Sequence, residues 1–205
     1  MDAQDRIDLG LLQALRLKGR LSEDMAARLA GAGAWTRLAA LAQAGLVTMA
    51  PVGARLAAPG RERLACLIET ERSGVDGAAL RQLYEERFDN VNHALKAVVT
   101  SWQVKPSGTA NDHADAAYDA AVIARLATVH AEARPVLEEV AWLVPRLAPY
   151  PDRLAYALAQ VQAGDAAYLT HPLRESYHQL WFELHEELLA LLGLQRVDEA
   201  KAGRA

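Results

Sequence analysis

A regular apolar seam in the middle of the chain constrains its fold more than any other feature. Its seven residues follow one another at steps of 4, 4, 3, 4, 3 and 4: Leu80, Tyr84, Phe88, Val91, Leu95, Val98 and Trp102. This spacing places all seven side chains on one face of an α-helix. The seam therefore predicts one long helix over 76–103. Its apolar face either forms the core of its own domain or pairs with a second copy of the chain.

Helix-capping residues and glycines divide the following sequence into three further helices. We expect them at about 112–147, 153–164 and 172–192. The first is capped by Asn111 or Asp112, and Pro135 interrupts it as a kink or as the first residue of a new helix. The second part of the chain is thus predicted to be all helical over 76–197, with a frayed tail at 198–205.

The first 72 residues predict a different arrangement, in which three short helices precede a β-hairpin and a fourth helix. The helices are expected at 5–17, 23–30 and 34–45, the strands at 47–49 and 55–57, and the fourth helix from residue 60 onward. Ser22 can cap the second helix, and Pro51 and Gly53 suit the turn of the hairpin. The fold class is therefore mainly α, with an N-terminal winged helix-turn-helix domain over 1–72 followed by the all-helical domain.

Two motifs in this first part resemble those of MarR-like bacterial regulators. One is a Leu-x-x-Leu-x-x-x-Gly-Leu-Val run at the end of the third helix, here formed by Leu38, Leu41, Gly45, Leu46 and Val47. The other is a Leu-Thr-x-x-Gly-Arg run after the wing, here Leu56, Ala57, Gly60 and Arg61, with Ala57 in place of the threonine. The resemblance implies a winged-helix fold and a role in transcriptional regulation.

Three segments of the second part are similar to a little-characterised actinobacterial family of winged-helix regulators. They read FDNVNHALKAVVTSWQ, NDHADAAYDAAV and YLTHPLRESYHQLWFELHEELLALLGLQR. This similarity extends the implied role as a regulator over most of the chain.

The charges are divided unevenly between the two parts. The whole chain carries a formal net charge of −4, which by itself counts against a protein that coats nucleic acid. Residues 1–72, however, hold 10 Lys and Arg against 8 Asp and Glu, a net charge of +2. The part that carries the winged-helix motifs is therefore the mildly basic one. The single cysteine, Cys66, excludes an internal disulfide and is expected in the core.

Five residues of the first part are candidates for contact with double-stranded DNA. The N-terminal end of a recognition helix reaches base edges in the major groove, so Arg37 can bind guanine through two hydrogen bonds. Thr36 can meet a phosphate or a thymine methyl group, and Trp35 can stack on sugar–phosphate or pack against a partner protein. Arg55 on the wing and Arg20 before the second helix can contact phosphates.

A second candidate site lies in the helical domain, where all six histidines are found. We expect a pocket for a small-molecule effector that is lined by aromatic and imidazole side chains: Trp102, His113, Tyr118, His178, Trp181 and His185. The alternative is that the histidines cap helices, pair with Glu183 or Glu186, or line a dimer interface. His178 and His185 lie seven residues apart, about 10.5 Å along a helix axis. That separation is too long for both to ligate one ion directly. A less favoured alternative is a His/carboxylate metal pocket formed by Asp112 or His113 with His178 or His185. We predict no metal and no cofactor.

Catalytic motifs are missing from the sequence. It contains no GxxxxGK[ST] phosphate loop, no GxGxxG, no GxSxG and no HExxH, so we do not expect an enzyme. We expect a homodimeric, effector-responsive transcriptional regulator that binds double-stranded DNA. The alternatives are a protein–protein adaptor built on the winged helix and, less favoured, a helical-domain enzyme.

The same sequence predicts a cytoplasmic protein with no membrane partner. The N-terminal residues MDAQDRIDLG do not resemble a signal peptide. The longest run without charge, 38–54, is interrupted by polar residues, glycines and a proline, so it does not read as a membrane span.

Overall fold

The fold is given by a computed structural model that describes residues 1–172, 174–195, 197 and 199. Over these residues the protein is mainly helical, with a small antiparallel β-hairpin after the first three helices, which confirms that part of the predicted fold class. The chain divides into two compact units, Met1–Gly74 (unit 1) and a second that begins at Val75 (unit 2). Among the described residues, no helix combines the length and apolar character needed to cross a bilayer.

Unit 1 contains four helices and the hairpin. Its elements are α1 Ala3–Lys18, α2 Glu23–Ala30, α3 Ala34–Gln43, β1 Val47–Ala50, β2 Gly53–Leu56 and α4 Ala58–Arg72. The boundaries follow local chemistry that the sequence predicted: Oγ of Ser22 accepts a hydrogen bond from the backbone N–H of Met25 and so caps α2. Gly19 ends α1 with a left-handed φ of 71°.

The hairpin of unit 1 is joined by a third stretch of extended chain. Within the hairpin, Val47 lies opposite Leu56 and Ala50 lies opposite Gly53. Leu21, between α1 and α2, pairs with Ala54 of β2 through two backbone hydrogen bonds of 3.1 and 2.8 Å. The sequence did not predict this pairing, which fastens the start of α2 to the hairpin.

The core of unit 1 is built from leucines that the helical spacing places on inward faces. The fully buried members come from α1, the Leu21 segment, α3 and α4: Leu9, Leu11, Leu12, Leu15, Leu21, Leu38 and Leu67. In this core α1 packs against α4 and α2 packs against α3. Cys66 is exposed on α4, so the expectation that it lies in the core is wrong.

Unit 2 is built mainly from helices, with an isolated antiparallel β-bridge between Val104 and Ala110 in the loop before its longest helix. Its elements are α5 Gly77–Leu83, a π-helical turn Tyr84–Phe88, α6 Asp89–Gln103, α7 Ala116–Leu143, a 3₁₀ turn Pro145–Leu147, α8 Pro149–Gln162, α9 Ala167–Thr170 and α10 Tyr177–Leu192. α7 packs against both α6 and α8, and α10 packs against α8 and α9.

The apolar seam lies inside unit 2. All seven residues of the seam are at most 6% exposed and belong to a core shared with α7, α8 and α10. Of the two roles considered for the seam, formation of the unit's own core is therefore observed. The predicted helix over 76–103 is continuous, but its middle turn, Tyr84–Phe88, has π rather than α geometry.

Several helix boundaries in unit 2 differ from the prediction. α7 is capped by Asp115, whose Oδ1 accepts from two backbone N–H groups, and not by Asn111 or Asp112. Pro135 lies inside an unbroken α7. α8 begins at Pro149 rather than at residue 153, because proline suits the first turn of a helix.

The last helix and the tail also differ. α10 begins at Tyr177, capped by Ser176, rather than near residue 172, and Gly193 ends it as expected. Leu173, which the prediction placed in this helix, lies outside the described residues. Within the predicted frayed tail the structure describes Glu199, which is 3% exposed and accepts a hydrogen bond of 3.1 Å from the hydroxyl of Tyr84. The expectation of fraying is therefore wrong for Glu199.

Candidate functional site

Arg37, the predicted reader of a base, is engaged inside unit 1. Its Nε and Nη2 donate to Oδ1 and Oδ2 of Asp8 at 2.6 and 2.7 Å. The hydrogen bonds that Arg37 donates to this carboxylate, which is itself buried on α1, raise the pKa of Arg37 above its usual value. The guanidinium joins α3 to α1 in this structure, and its contact with guanine stays a prediction.

Removal of this guanidinium is expected to destabilise unit 1. The change Arg37→Ala takes away both hydrogen bonds that Asp8 accepts from it, and a hydrogen bond to a charged group contributes about 1.5–3 kcal/mol. We therefore expect the free energy of unfolding of unit 1 to fall by about 2 kcal/mol in urea unfolding followed by the hydrogen exchange of the α1 and α3 amides. An unchanged midpoint would contradict this structural role. Arg72→Ala, which removes a more exposed pair with Glu69 on α4, is the control and should change little.

The other two residues of α3 that are predicted to contact DNA differ in their exposure. Thr36 is exposed on the first turn of the helix. Trp35 is half-buried and packs against the core of unit 1, so only part of its ring faces outward. Thr36 is therefore the predicted α3 residue that stays fully available for contact with a partner.

Arg20 and Arg55 are both exposed, and they lie close together where the segment before α2 pairs with β2 of the hairpin. Leu21 pairs with Ala54, so Arg20 and Arg55 are the next residues on two neighbouring antiparallel segments. The backbone at Gly53 approaches the segment of Arg20 and Leu21 closely. A Cβ on Gly53 would lie 2.4 Å from the carbonyl oxygen of Leu21 and 3.0 Å from Cγ of Arg20. Unit 1 thus presents a pair of arginines at the base of its hairpin.

Five of the six residues predicted to share one effector pocket are divided between two depressions of unit 2, and the sixth lines neither. A larger depression, of about 550 Å³, is lined by Trp102 and His113 together with Asp119 and His171. A smaller one, of about 60 Å³, is lined by His178, Trp181 and His185 between α6 and α10. Tyr118 lines neither, and its hydroxyl donates to the carbonyl oxygen of Ser101 at 2.8 Å. The prediction of a single shared pocket is therefore corrected.

In the larger depression His113 is held by a short polar cluster. Its Nδ1 lies 3.0 Å from Oδ2 of Asp119, and its ring centroid lies 4.4 Å from that of Trp102. The buried amide of Asn111 donates to Oδ1 of Asp119 at 2.8 Å. Asn111, which was considered as a helix cap, thus supports the predicted site residue His113.

A salt bridge lies in the loop beside this cluster. Nζ of Lys105 donates to Oδ1 of Asp112 at 2.6 Å. This hydrogen bond raises the pKa of Lys105 and lowers the pKa of Asp112. The positive charge of Lys105 is therefore matched by Asp112 within the loop.

Beside the smaller depression the π-helical turn brings together groups that the sequence did not connect. The hydroxyl of Tyr84 lies 2.9 Å from Nε2 of His185 and donates to Oε2 of Glu199. Phe88 stacks on Trp181 with a centroid distance of 4.9 Å. Tyr84 and Glu199 are 115 residues apart, and no spacing rule links residues at that distance. The buried imidazole of His185 thus meets the hydroxyl of a tyrosine through Nε2.

The glutamates of α10 pair instead with arginines. Glu187 accepts two hydrogen bonds from Arg146 at 2.9 and 2.8 Å, and Glu183 lies 3.7 Å from Arg153. Burial is the main cause that raises the pKa of Tyr150, and the nearby charges of Glu187 and Glu183 add to it. These paired charges are part of the interior of unit 2.

Neither depression has the composition of a metal centre. Throughout the described part of the chain, no group of three or more His, Cys, Asp or Glu side chains could hold a metal ion. The polar groups of the larger depression instead offer hydrogen bonds.

Comparisons with known proteins returned no relative. No family model, no curated protein and no solved structure matches this chain.

Proposed function

We propose that unit 1 is a winged helix-turn-helix domain that binds double-stranded DNA. The single observation that supports this most is the pairing of Leu21 with Ala54, which joins the segment before α2 to the hairpin. With it, the order of three helices, two antiparallel strands and a fourth helix becomes one packed unit. In such a unit α2 and α3 form the helix-turn-helix and the hairpin forms the wing.

In this proposal phosphate contacts provide most of the affinity. Arg37 is bound to Asp8, so α3 offers Thr36 and little else of the predicted set for base contacts. Arg20 and Arg55 at the base of the wing are placed to meet the backbone of one DNA strand. Contacts to phosphate position a protein but carry no sequence information, so we expect modest sequence discrimination by one copy of unit 1.

The complete proposed function is that of a cytoplasmic, homodimeric transcriptional regulator that responds to an effector held by unit 2. Two copies of unit 1 would double the phosphate contacts, and their spacing would select a pair of half-sites. Because the apolar seam is buried in the core of unit 2, the dimer has to use another surface. Sedimentation of the purified chain at micromolar concentration measures this, and a monomer would refute the dimer.

DNA binding is tested by the salt dependence of affinity. The probe is the DNA upstream of the protein's own coding sequence, with a duplex of unrelated sequence beside it. We expect the log of the binding constant to fall linearly with the log of salt concentration, with a slope of about −0.9 per phosphate contact. Arg20→Ala with Arg55→Ala should weaken binding to both duplexes and reduce the slope by about one for each lost contact.

Arg72→Ala on α4 is again the matched control and should leave the slope unchanged. If neither duplex is bound at low salt, the DNA-binding proposal is wrong.

A second candidate function, protein binding through the wing, is favoured by two exposed apolar side chains of the hairpin. Val52 is 60% exposed and Met49 is 39% exposed. Replacing both with serine should leave DNA binding intact if the wing acts only through its arginines.

A further inference from the structure

We propose that the larger depression of unit 2 binds a small, uncharged, planar heteroaromatic molecule that donates a hydrogen bond from a ring N–H to Nε2 of His113. This inference deepens the effector part of the proposed function and rests on that part alone, since DNA plays no role in it. It is supported by the protonation pattern of His113, by the charges of the wall and by the shape of the wall.

The hydrogen bonds of Asn111 determine which nitrogen of His113 carries the proton. Nδ2 of Asn111 lies near three possible acceptors: the carbonyl oxygen of Trp102 at 3.1 Å, Oδ1 of Asp119 at 2.8 Å and Nδ1 of His113 at 3.2 Å. Because Nδ2 has two hydrogens, we assign them to the two oxygens, of which one belongs to a carboxylate. Nδ1 of His113 lies 3.0 Å from Oδ2 of Asp119, and a carboxylate only accepts hydrogen bonds. Nδ1 is therefore the donor, and in the neutral ring Nε2 keeps its lone pair as an acceptor.

His113 is also fixed in place before any ligand arrives. Its φ of 55° lies in the left-handed region, which is unfavourable for residues other than glycine by about 1 kcal/mol or more. Its backbone N–H donates to Oδ1 of Asn111 at 3.1 Å, and its ring packs on Trp102. Despite these contacts the side chain remains 43% exposed. A ligand that uses this acceptor does not have to order it.

The charges of the wall disfavour an anion. Among the described residues that line the depression, Asp119 is charged and none is a lysine or an arginine. Lys105, in the adjoining loop, is held by Asp112. A ligand with a negative charge would therefore meet a carboxylate without a compensating cation, whereas an uncharged ligand would not.

The shape and the remaining groups of the wall suit a flat ring. Small apolar surfaces are contributed by Ala166, Ala167 and Pro172, and polar groups by the amide of Gln103 and the hydroxyl of Thr170. The volume of about 550 Å³ falls within the range of small-molecule sites, about 300–1,000 Å³. A bicyclic ring with one N–H donor and one ring-nitrogen acceptor matches an imidazole acceptor together with an amide or hydroxyl donor.

The test compares three probes of similar size on the full-length protein at neutral pH, by isothermal titration calorimetry. Benzimidazole has the ring N–H, 1-methylbenzimidazole has the same ring without that donor, and benzoate is an anion. We expect benzimidazole to bind, its methylated form to bind at least tenfold more weakly, and benzoate not to bind. Equal affinity for the first two probes, tighter binding of benzoate, or no binding of benzimidazole would overturn the proposal.

Two variants locate the binding. Ala166→Phe adds a ring at an exposed position that lines the depression, and Ala155→Phe adds the same ring at an exposed position of α8 outside it. The first should abolish benzimidazole binding and the second should not, with both proteins as stable as the parent. Unchanged binding in Ala166→Phe would place the ligand elsewhere and reject the site. Because no arm of the test contains DNA, its failure is distinguishable from a failure of DNA binding.

Discussion

Replacement of Arg146 by alanine is expected to lower the free energy of unfolding of unit 2 by about 3–5 kcal/mol. Arg146 lies on the 3₁₀ turn before α8 and holds the carboxylate of Glu187 through both of its terminal nitrogens. The side chain of Glu187 is 4% exposed, so its carboxylate cannot become solvated when the guanidinium is removed. The loss is therefore large, because a buried charge keeps its desolvation penalty after its partner has gone.

The measurement is urea unfolding followed by tryptophan fluorescence in a Trp35→Phe background. In that background the remaining tryptophans, Trp102, Trp142 and Trp181, all lie in unit 2, so the signal reports this unit alone. Arg134→Ala is the matched control, because Arg134 and Glu138 form a pair whose side chains are 71% and 57% exposed. We expect a change of at most about 0.5 kcal/mol there. A loss below about 1 kcal/mol in Arg146→Ala would contradict the buried pair.

The second large effect is expected for Gly60→Ala in unit 1. A Cβ at this position would lie 2.0 Å from the carbonyl oxygen of Leu46 and 2.9 Å from Cδ1 of Leu56. The carbonyl cannot move away freely, because it accepts a hydrogen bond of 3.1 Å from the backbone N–H of Ala57. The backbone of α4 must therefore shift, and overpacking of this kind destabilises by about 3 kcal/mol.

Gly10→Ala is expected to change the stability of unit 1 in the opposite direction. Gly10 lies within α1, and a Cβ there would meet nothing within 4 Å. Alanine is the better helix former, so this change should stabilise unit 1 by about 0.5–1 kcal/mol. Thermal unfolding followed by the hydrogen exchange of the α1 and α4 amides measures both variants. If Gly60→Ala melted at or above the temperature of the parent, the close approach of α4 to Leu46 would be wrong.

Periodicity in the sequence identified inward faces well. The seven residues of the seam are buried as their spacing predicts. Gly60 was noted as part of a Leu-x-x-x-Gly-Arg run, and the structure supplies a physical reason for the glycine. The spacing of apolar residues along a helix is a local property, so a short stretch of sequence is enough to predict which face is buried.

The partners of polar side chains were far less accessible. Arg37 was assigned to DNA because its face of α3 was known but its neighbour on α1 was not. One signal was present: Asp8 lies next to Leu9 on the inward side of α1, and a buried carboxylate requires a cation. For Tyr84 and Glu199 no comparable signal existed, since Glu199 follows the last helix predicted from spacing. His113 was chosen correctly as a lining residue, but the choice of His178 and His185 as its neighbours was wrong.

The long helix of unit 2 contains a π-helical turn at Tyr84–Phe88. Because of this turn, the residues before it and those after it have different rotational settings around the helix axis. Each residue of an α-helix turns the chain by about 100°, and the wider turn accommodates the two consecutive steps of four in the seam. A π-helical turn absorbs about one extra residue, so deletion of one residue between 84 and 88 would restore a uniform α-helix and leave Leu80 and Leu83 in nearly the same rotational setting relative to Val91. Both leucines would then stay in the core. The helix should therefore tolerate the loss of one residue here more readily than at another point of the seam, where such a loss would rotate the flanking side chains by about 100°.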